Sequence, residues 1–313
     1  MNKISIIIPF LNEADNVEGL VSALNQYFAS KQNYHTEVIL VNDGSTDDSV
    51  QKFSKATFTN IDAKLISLSK NFGSHAALRA GILNATGDFI CFMYADLQDP
   101  LELIDRLYEN LTKLNDIVWA TREATNNGLV EKSFSSMYAY LMKKYAVKSF
   151  PDKGFDIVMF NKKVQQQLNN NIEANSSIFL QILTLGYKQT SIYYQKQERK
   201  KGKSKWTLSK KIKLFIDSFV AFSYAPIRFV TVVGILLFII GFLFSAYLII
   251  RRLVANDLAS GWPLLGSLIC LGFGITNISL GIIAEYLWRT LDASRKRPVF
   301  VIDQIIDLKN NAK

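Results

Sequence analysis

Two cysteines in 313 residues leave no basis for a disulfide framework, and two histidines do not complete a metal cluster with them. Cys91 falls in an apolar run that reads as a buried strand, and Cys270 in a long uncharged stretch. Neither His35 nor His75 accompanies a serine or cysteine nucleophile elbow, so no hydrolytic triad is expected. His35 reads as a strand-edge residue and His75 as a helix residue near a ligand crevice. Fold-defining repeats and low-complexity segments are lacking too. The first apolar run, Ile4 to Ile8, is stopped by Pro9 and reads as a strand, not as a secretion signal.

Charge is missing from two stretches, Phe229–Ile250 and Pro263–Ala284. At ~1.5 Å per helical residue each can cross a ~30 Å hydrocarbon core. A helical hairpin buried in a soluble core is the alternative, but such helices are seldom apolar all round over this length. Basic residues crowd the approach to the first stretch (Arg199 to Lys205, Lys210, Lys211, Lys213, Arg228) and follow the second (Arg289, Arg295, Lys296, Arg297), whereas the connection holds only Arg251 and Arg252. The positive-inside bias then puts both chain ends on the cytoplasmic side. The net charge of +9 sits beside these stretches, not among exposed aromatics. Anionic lipid head groups are the expected partner, and nucleic acid is not. Between Thr207 and Tyr224, Leu208, Ile212, Phe215, Phe219 and Phe222 recur at helical spacing, predicting an amphipathic helix at the interface, with a soluble-core helix as the alternative.

What is present in the first two thirds is alternation. Strand-type runs at Ile4–Ile8, Glu37–Val41, Ala63–Leu68 and Asp88–Tyr94 are separated by helical patterns ending near Phe28, starting after Ser45, and covering Ser74 to Asn84. This is the pattern of a parallel sheet with crossover helices, whose ligands bind beyond the carboxyl ends of the strands. Polar clusters occupy those ends. Asn42-Asp43-Gly44-Ser45-Thr46-Asp47-Asp48 suits a tight turn into a helix capped by Ser45 or Thr46. With Pro9-Phe10-Leu11-Asn12-Glu13 it offers carboxylates and amides able to grip a base and a ribose. Asp96-Leu97-Gln98-Asp99-Pro100 presents hard oxygen ligands for Mg²⁺ or Mn²⁺ holding a nucleotide diphosphate, with Asp99 also expected to cap a helix that starts at Pro100. Arg199 to Trp206 forms a cationic loop suited to a lipid phosphate or to anionic head groups in general.

Taken together, Ile8–Glu13, Val41–Ser45, Asn71-Phe72-Gly73, Ala95–Pro100, Gly154-Phe155-Asp156 and Gly202–Trp206 resemble the polyprenyl-phosphate glycosyltransferases of glycosyltransferase family 2, the group of dolichol-phosphate mannosyltransferases and bactoprenol glucosyltransferases. The resemblance implies an α/β, GT-A-type (Rossmann-like), mostly parallel sheet domain over residues 1–206. After it come an interfacial amphipathic helix at 207–226, a two-helix transmembrane hairpin at 227–290 and a cytoplasmic tail at 291–313. It implies an inverting enzyme that moves a sugar from a nucleotide sugar to polyprenyl phosphate; the cell inner membrane with undecaprenyl phosphate fits the chain, and uracil is the expected base. Pro9, Asn12, Glu13, Asp43 and Ser45 would line the nucleotide pocket. Asp96 and Gln98 would hold Mg²⁺ or Mn²⁺, and Arg122, Arg199, Ser204 and Lys205 would approach phosphates. Asp156 would be the candidate base, and a homo-oligomer is compatible with the family.

One position departs from the family pattern: Tyr94 stands where an Asp is usual, and a neutral phenol, with a reference pKa of about 10, is a poor ligand for a hard cation. A non-catalytic membrane subunit that binds nucleotide sugar or lipid is the alternative that this position favours. A processive polysaccharide synthase of the same fold is another, but its Gln-x-x-Arg-Trp motif and its additional spans are lacking.

Overall fold

The computed structural model describes residues 1–308 apart from 30, 32, 124–128, 146, 148, 149, 152–154, 174, 175, 198–224, 226–228, 295–297 and, between 231 and 260, all but 232–234, 236, 239, 243, 247 and 250. Two compact units are formed, one by Met1–Ser218 with Pro298–Lys313 and one by Phe219–Arg297.

In the first unit, β1 (Lys3–Phe10), α1 (Val17–Phe28), β2 (His35–Asn42), α2 (Ser49–Ser54), β3 (Asp62–Leu68), α3 (Ser74–Asn84) and β4 (Phe89–Phe92) follow the predicted alternation to within a few residues. There follow α4 (Glu102–Thr112), β5 (Ile117–Arg122), α5 (Leu129–Tyr145), β6 (Ile157–Asn161), α6 (Lys162–Asn170), α7 (Ile178–Thr184) and β7 (Gln189–Tyr194), and β8 (Ile302–Leu308) is supplied from beyond the second unit. The eight strands make one sheet in the order β7-β5-β6-β4-β1-β2-β3-β8. β6 runs against β4 and β5, and β8 runs against β3, while the other neighbours are parallel. The α/β, mostly parallel expectation is met.

β1 and β2 are nearly unbroken apolar runs because both faces of the sheet are covered. Ile4, Ile6 and Ile8 pack with Val17, Leu20, Leu24 and Phe28 of α1 and Leu103, Ile104 and Leu107 of α4. These helix residues recur at intervals of three or four, which puts them on one stripe. Ile7 points the other way, against α3, where a Cβ on Gly81 would lie 2.3 Å from its Cγ2. Only glycine allows the helix so close to the strand.

Two predicted caps are corrected. α2 starts at Ser49 with Asp48 at its N-cap, because the Ser45 hydroxyl is taken by the Asn12 N–H. α4 starts at Glu102 with Leu101 at its N-cap, because the Asp99 carboxylate is drawn to Tyr194 and Lys196. The last strand is a further difference: residues 302–308, placed in a tail by the sequence, pair with β3 through Leu308, Ile306 and Ile305.

In the second unit the described residues between 225 and 250 are helical, and α8 (Trp262–Ser294) is a 33-residue helix. Leu265, Phe273, Ile278, Leu280, Ile283, Leu287 and Trp288 are exposed on α8. Among the described residues no helix is long and apolar enough to cross a membrane. The expected span Phe229–Ile250 lies largely outside those residues, and the expected amphipathic helix at Thr207–Tyr224 wholly so.

Candidate active site

The carboxyl ends of β1, β2 and β3 are fastened together by short polar side chains. Asp43 is buried and its N–H donates to the Phe10 carbonyl at 2.9 Å, while its carboxylate accepts the Phe72 N–H at 2.8 Å and the Gly73 N–H at 3.0 Å. Burial pushes the Asp43 carboxyl up from its ordinary value, and these two amides work against that shift. The adjacent Gly44 has φ +73°, and a Cβ there would meet the Asn71 nitrogen at 2.5 Å. Asn71-Phe72-Gly73 is thus a loop pinned by Asp43, not an independent motif.

Asn12, with φ 51°, donates its N–H to Ser45 Oγ at 2.9 Å and accepts the Thr46 N–H on Oδ1 at 2.8 Å. The Glu13 N–H donates to Ser49 Oγ at 2.8 Å, and Glu13 Oε2 accepts from Asn16 Nδ2 at 2.6 Å. Asn12, Glu13, Asp43 and Ser45, all predicted nucleotide contacts, are therefore brought into one constellation. Pro9 is not open to it: it is buried inside β1 opposite Val41.

The second wall comes from β4, β5, β6 and β7. Because β6 is antiparallel, its N-terminal end lies at the edge where β5 and β7 finish, and this brings Asp156 to Arg122 and Lys196. Arg122 Nη2 pairs with Asp156 Oδ2, and Lys196 Nζ lies 4.0 Å from the same oxygen and 3.5 Å from Asp99 Oδ1. Tyr194 donates its hydroxyl to Asp99 Oδ1 at 2.7 Å. Gln197 N–H donates to the Gln98 carbonyl at 2.8 Å, and Gln98 Nε2 returns a bond to the Gln197 carbonyl at 3.3 Å. These two bonds strap the segment after β7 onto the Asp96–Asp99 loop. Asp96 Oδ1 in turn accepts the Gln98 N–H at 3.3 Å.

Electrostatically this wall alternates in sign. Burial pushes the Asp99 carboxyl up, with Asp156 adding to the shift and Lys196 and Tyr194 opposing it. Burial and then Asp156 and Asp99 drive the Tyr94 phenol well above its ordinary value, so it stays a neutral hydroxyl at any physiological pH. Burial would lower the Arg122 guanidinium, but Asp156 outweighs it and the net shift is upward.

Asp96 and Gln98 fit a divalent cation that arrives with a diphosphate: one carboxylate, one carboxamide oxygen, phosphate oxygens and water are a usual Mg²⁺ set. They do not make a cage by themselves. Among the described residues no group of three His, Cys, Asp or Glu could hold a metal. Asp99 and Asp156 are already matched by Lys196 and Arg122. Arg199, Ser204 and Lys205, predicted to meet phosphates, lie outside the described residues. His75 is in α3 as expected, but its ring packs edge-on against Phe179 with a buried, unpartnered Nδ1. Lys196 and Tyr194 were not singled out from sequence. Lys196 belongs to no motif and lies three residues ahead of a cationic run, and only the sheet order reveals its partners.

The family model "Glycosyl transferase family 2" matches residues 5–177, which contain both walls up to Asp156. The chain belongs to glycosyltransferase family 2. It is a glycosyltransferase, and similarity to characterised and uncharacterised members runs almost end to end. It is 30% identical to the uncharacterized glycosyltransferase YkcC of Bacillus subtilis (strain 168), over 98% of this chain and 95% of that protein. It is 28% identical to an undecaprenyl-phosphate 4-deoxy-4-formamido-L-arabinose transferase of Klebsiella pneumoniae (strain 342), over 98% and 94%. Identity is also 28% with a prophage bactoprenol glucosyl transferase homolog of Escherichia coli (strain K12), over 97% and 99%.

Proposed function

We propose that this glycosyltransferase takes a sugar from a nucleotide sugar, with uracil the favoured base, and delivers it to polyprenyl phosphate, favouring undecaprenyl phosphate, with inversion at the anomeric carbon. The observation that carries this is a pair of polar clusters at one edge of the sheet: a constellation around Asn12, Asp43 and Ser45 after β1 and β2, and the Arg122, Asp156, Lys196 and Asp99 cluster beyond β4, β5 and β7. The relatives named for undecaprenyl phosphate and bactoprenol support the acceptor.

A phosphate oxygen of the lipid attacks the anomeric carbon, the bond from that carbon to the donor diphosphate breaks, and the nucleoside diphosphate leaves. The nucleophile is already anionic near neutral pH, so strong general-base catalysis is unnecessary. Asp156, tied to Arg122, then orients substrate and balances charge instead of removing a proton. A divalent cation carried with the donor, on Asp96 and Gln98, would supply charge to the departing diphosphate. The chain's own part is positioning and fixed charge.

The membrane belongs to the same proposal. The uncharged stretches Phe229–Ile250 and Pro263–Ala284, the exposed leucines and isoleucines of α8, and the flanking basic residues favour a two-helix hairpin in the inner membrane, with the catalytic unit and both ends cytoplasmic. The test is transfer from a panel of radiolabelled nucleotide sugars to undecaprenyl phosphate by the full chain in detergent, with Mg²⁺, Mn²⁺ or EDTA and with Asp96→Ala as control. A metal-dependent glycolipid that the control fails to make is expected. Transfer to a water-soluble acceptor with none to the lipid would overturn the acceptor assignment.

A further inference from the structure

The polar groups around Asp156 are not all satisfied within the protein. Lys196 has 17% of its side chain exposed, and its contacts to Asp99 and Asp156, at 3.5 and 4.0 Å, are ion pairs too long to be good hydrogen bonds. Arg122 Nε is sealed from water and has no acceptor, although the other end of the guanidinium is on Asp156. On the acceptor side, Asp99 Oδ2 and Asp156 Oδ1 are buried without a donor, and Asp99 as a whole is 3% exposed. Thr121 Oγ1, at the end of β5 next to Arg122, is unpartnered as well. Interiors leave few such groups, and those that persist call for a ligand or water.

The chemistry of the unsatisfied set is mixed in a telling way. Apart from the Thr121 hydroxyl, its spare donors are cationic and its spare acceptors are anionic. A ligand that brings negatively charged oxygens together with hydroxyl groups satisfies both, and a sugar phosphate is such a ligand. The strap between Gln98 and Gln197 holds Lys196 over the Asp96–Asp99 loop.

We infer that Lys196 is a phosphoryl-binding residue of this site: its ammonium leaves Asp99 and Asp156 for an incoming phosphoryl oxygen, next to Arg122, while the donorless Asp99 Oδ2 and Asp156 Oδ1 accept sugar hydroxyls. This rests on the sugar transfer proposed above and adds a residue to it. The phosphoryl oxygen comes from the donor diphosphate or from the lipid monophosphate, and both present the same chemistry to an ammonium.

The experiment uses the full chain in detergent as wild type, Lys196→Met and Lys196→Arg, with Lys196→Gln in reserve should the methionine variant not fold. Calorimetric titration with UDP, GDP and inorganic pyrophosphate, with and without Mg²⁺, reads the donor arm. KM for undecaprenyl phosphate in the transfer assay reads the acceptor arm, and thermal melting follows any structural role separately. Lys196→Met is expected to weaken one arm about tenfold or more, with a smaller change in kcat at saturation, and Lys196→Arg to restore most of it. Weaker nucleotide and pyrophosphate binding assigns the donor; a raised acceptor KM alone assigns the lipid phosphate. Unchanged affinities and KM, with only a lower melting temperature, would overturn the inference. If the wild type binds pyrophosphate but forms no glycolipid, the transfer is wrong and the pyrophosphate arm still decides Lys196. If the wild type binds no phosphate ligand, both are wrong.

Discussion

At the residue scale, Tyr94 shows how one side chain sets the charge of a cluster. Partly buried near Asp156, Asp99 and Asp96, its phenol is held neutral. Tyr94→Asp is expected to tighten Mn²⁺ binding in the presence of nucleoside diphosphate, read by calorimetry, because a second hard oxygen ligand joins Asp96. The same variant adds like charge to a partly desolvated group of carboxylates and should cost about 1–3 kcal/mol of stability. Unchanged metal affinity would show that position 94 does not face the cation. Asp156 allows a second test. If it orients substrate, Asp156→Asn lowers kcat without moving the acid limb of the pH–rate profile, whereas loss of that limb would restore the general-base role.

Between elements, the loops after β1 and β2 depend on backbone conformations that few residues adopt. Gly44→Ala puts a methyl 2.5 Å from the Asn71 nitrogen at φ +73° and should cost about 2 kcal/mol or more, measured by thermal melting. Ser45→Ala removes only the acceptor of the Asn12 N–H and should cost about 1 kcal/mol. On α3, burial and then Arg79 lower the His75 pKa from 6.5 to about 4. The unfolded chain therefore binds more protons than the folded one between those values. Stability is expected to fall as pH drops from about 6.5 towards 4, by up to about 3 kcal/mol, and His75→Gln should flatten that slope. Glu37, buried on β2 beside Ser5 of β1, adds acid sensitivity at lower pH: burial raises its pKa, but hydrogen bonds from Ser5 and Thr86 and the nearby Lys3 leave it lowered overall.

For the whole molecule, the return of the chain to the sheet is the feature to test. β8 covers the β3 edge, and Leu308 and Ile306 join the core. Removing residues 298–313 should expose that edge, lower the melting temperature of the full chain and promote aggregation visible by light scattering. An unchanged melting temperature would show that β8 is not needed. The tail expected at 291–313 hides this strand, since Val301 to Leu308 is short, carries Asp303 and Asp307, and follows basic residues, so its pattern does not declare a partner. β1 to β4 and their helices were legible because their periodicity is strong and local. β5, β6 and β7 were not assigned, being short strands set far apart among long helical and irregular segments.

What the chain determines locally is therefore clear. Apolar runs define the parallel strands, polar turns lie at their carboxyl ends, and the charge-free stretches and their basic flanks are plain in one dimension. The sheet order decided the rest. An antiparallel β6 between β4 and β5 brings the residue before it, Asp156, to Arg122 at the end of β5. β7 beside β5 delivers Lys196 to Asp99, and a carboxylate so engaged cannot also cap α4. Periodicity reports which face of an element is apolar, but ion pairs between distant segments depend on which strands are neighbours, and neighbourhood is a property of the folded sheet alone.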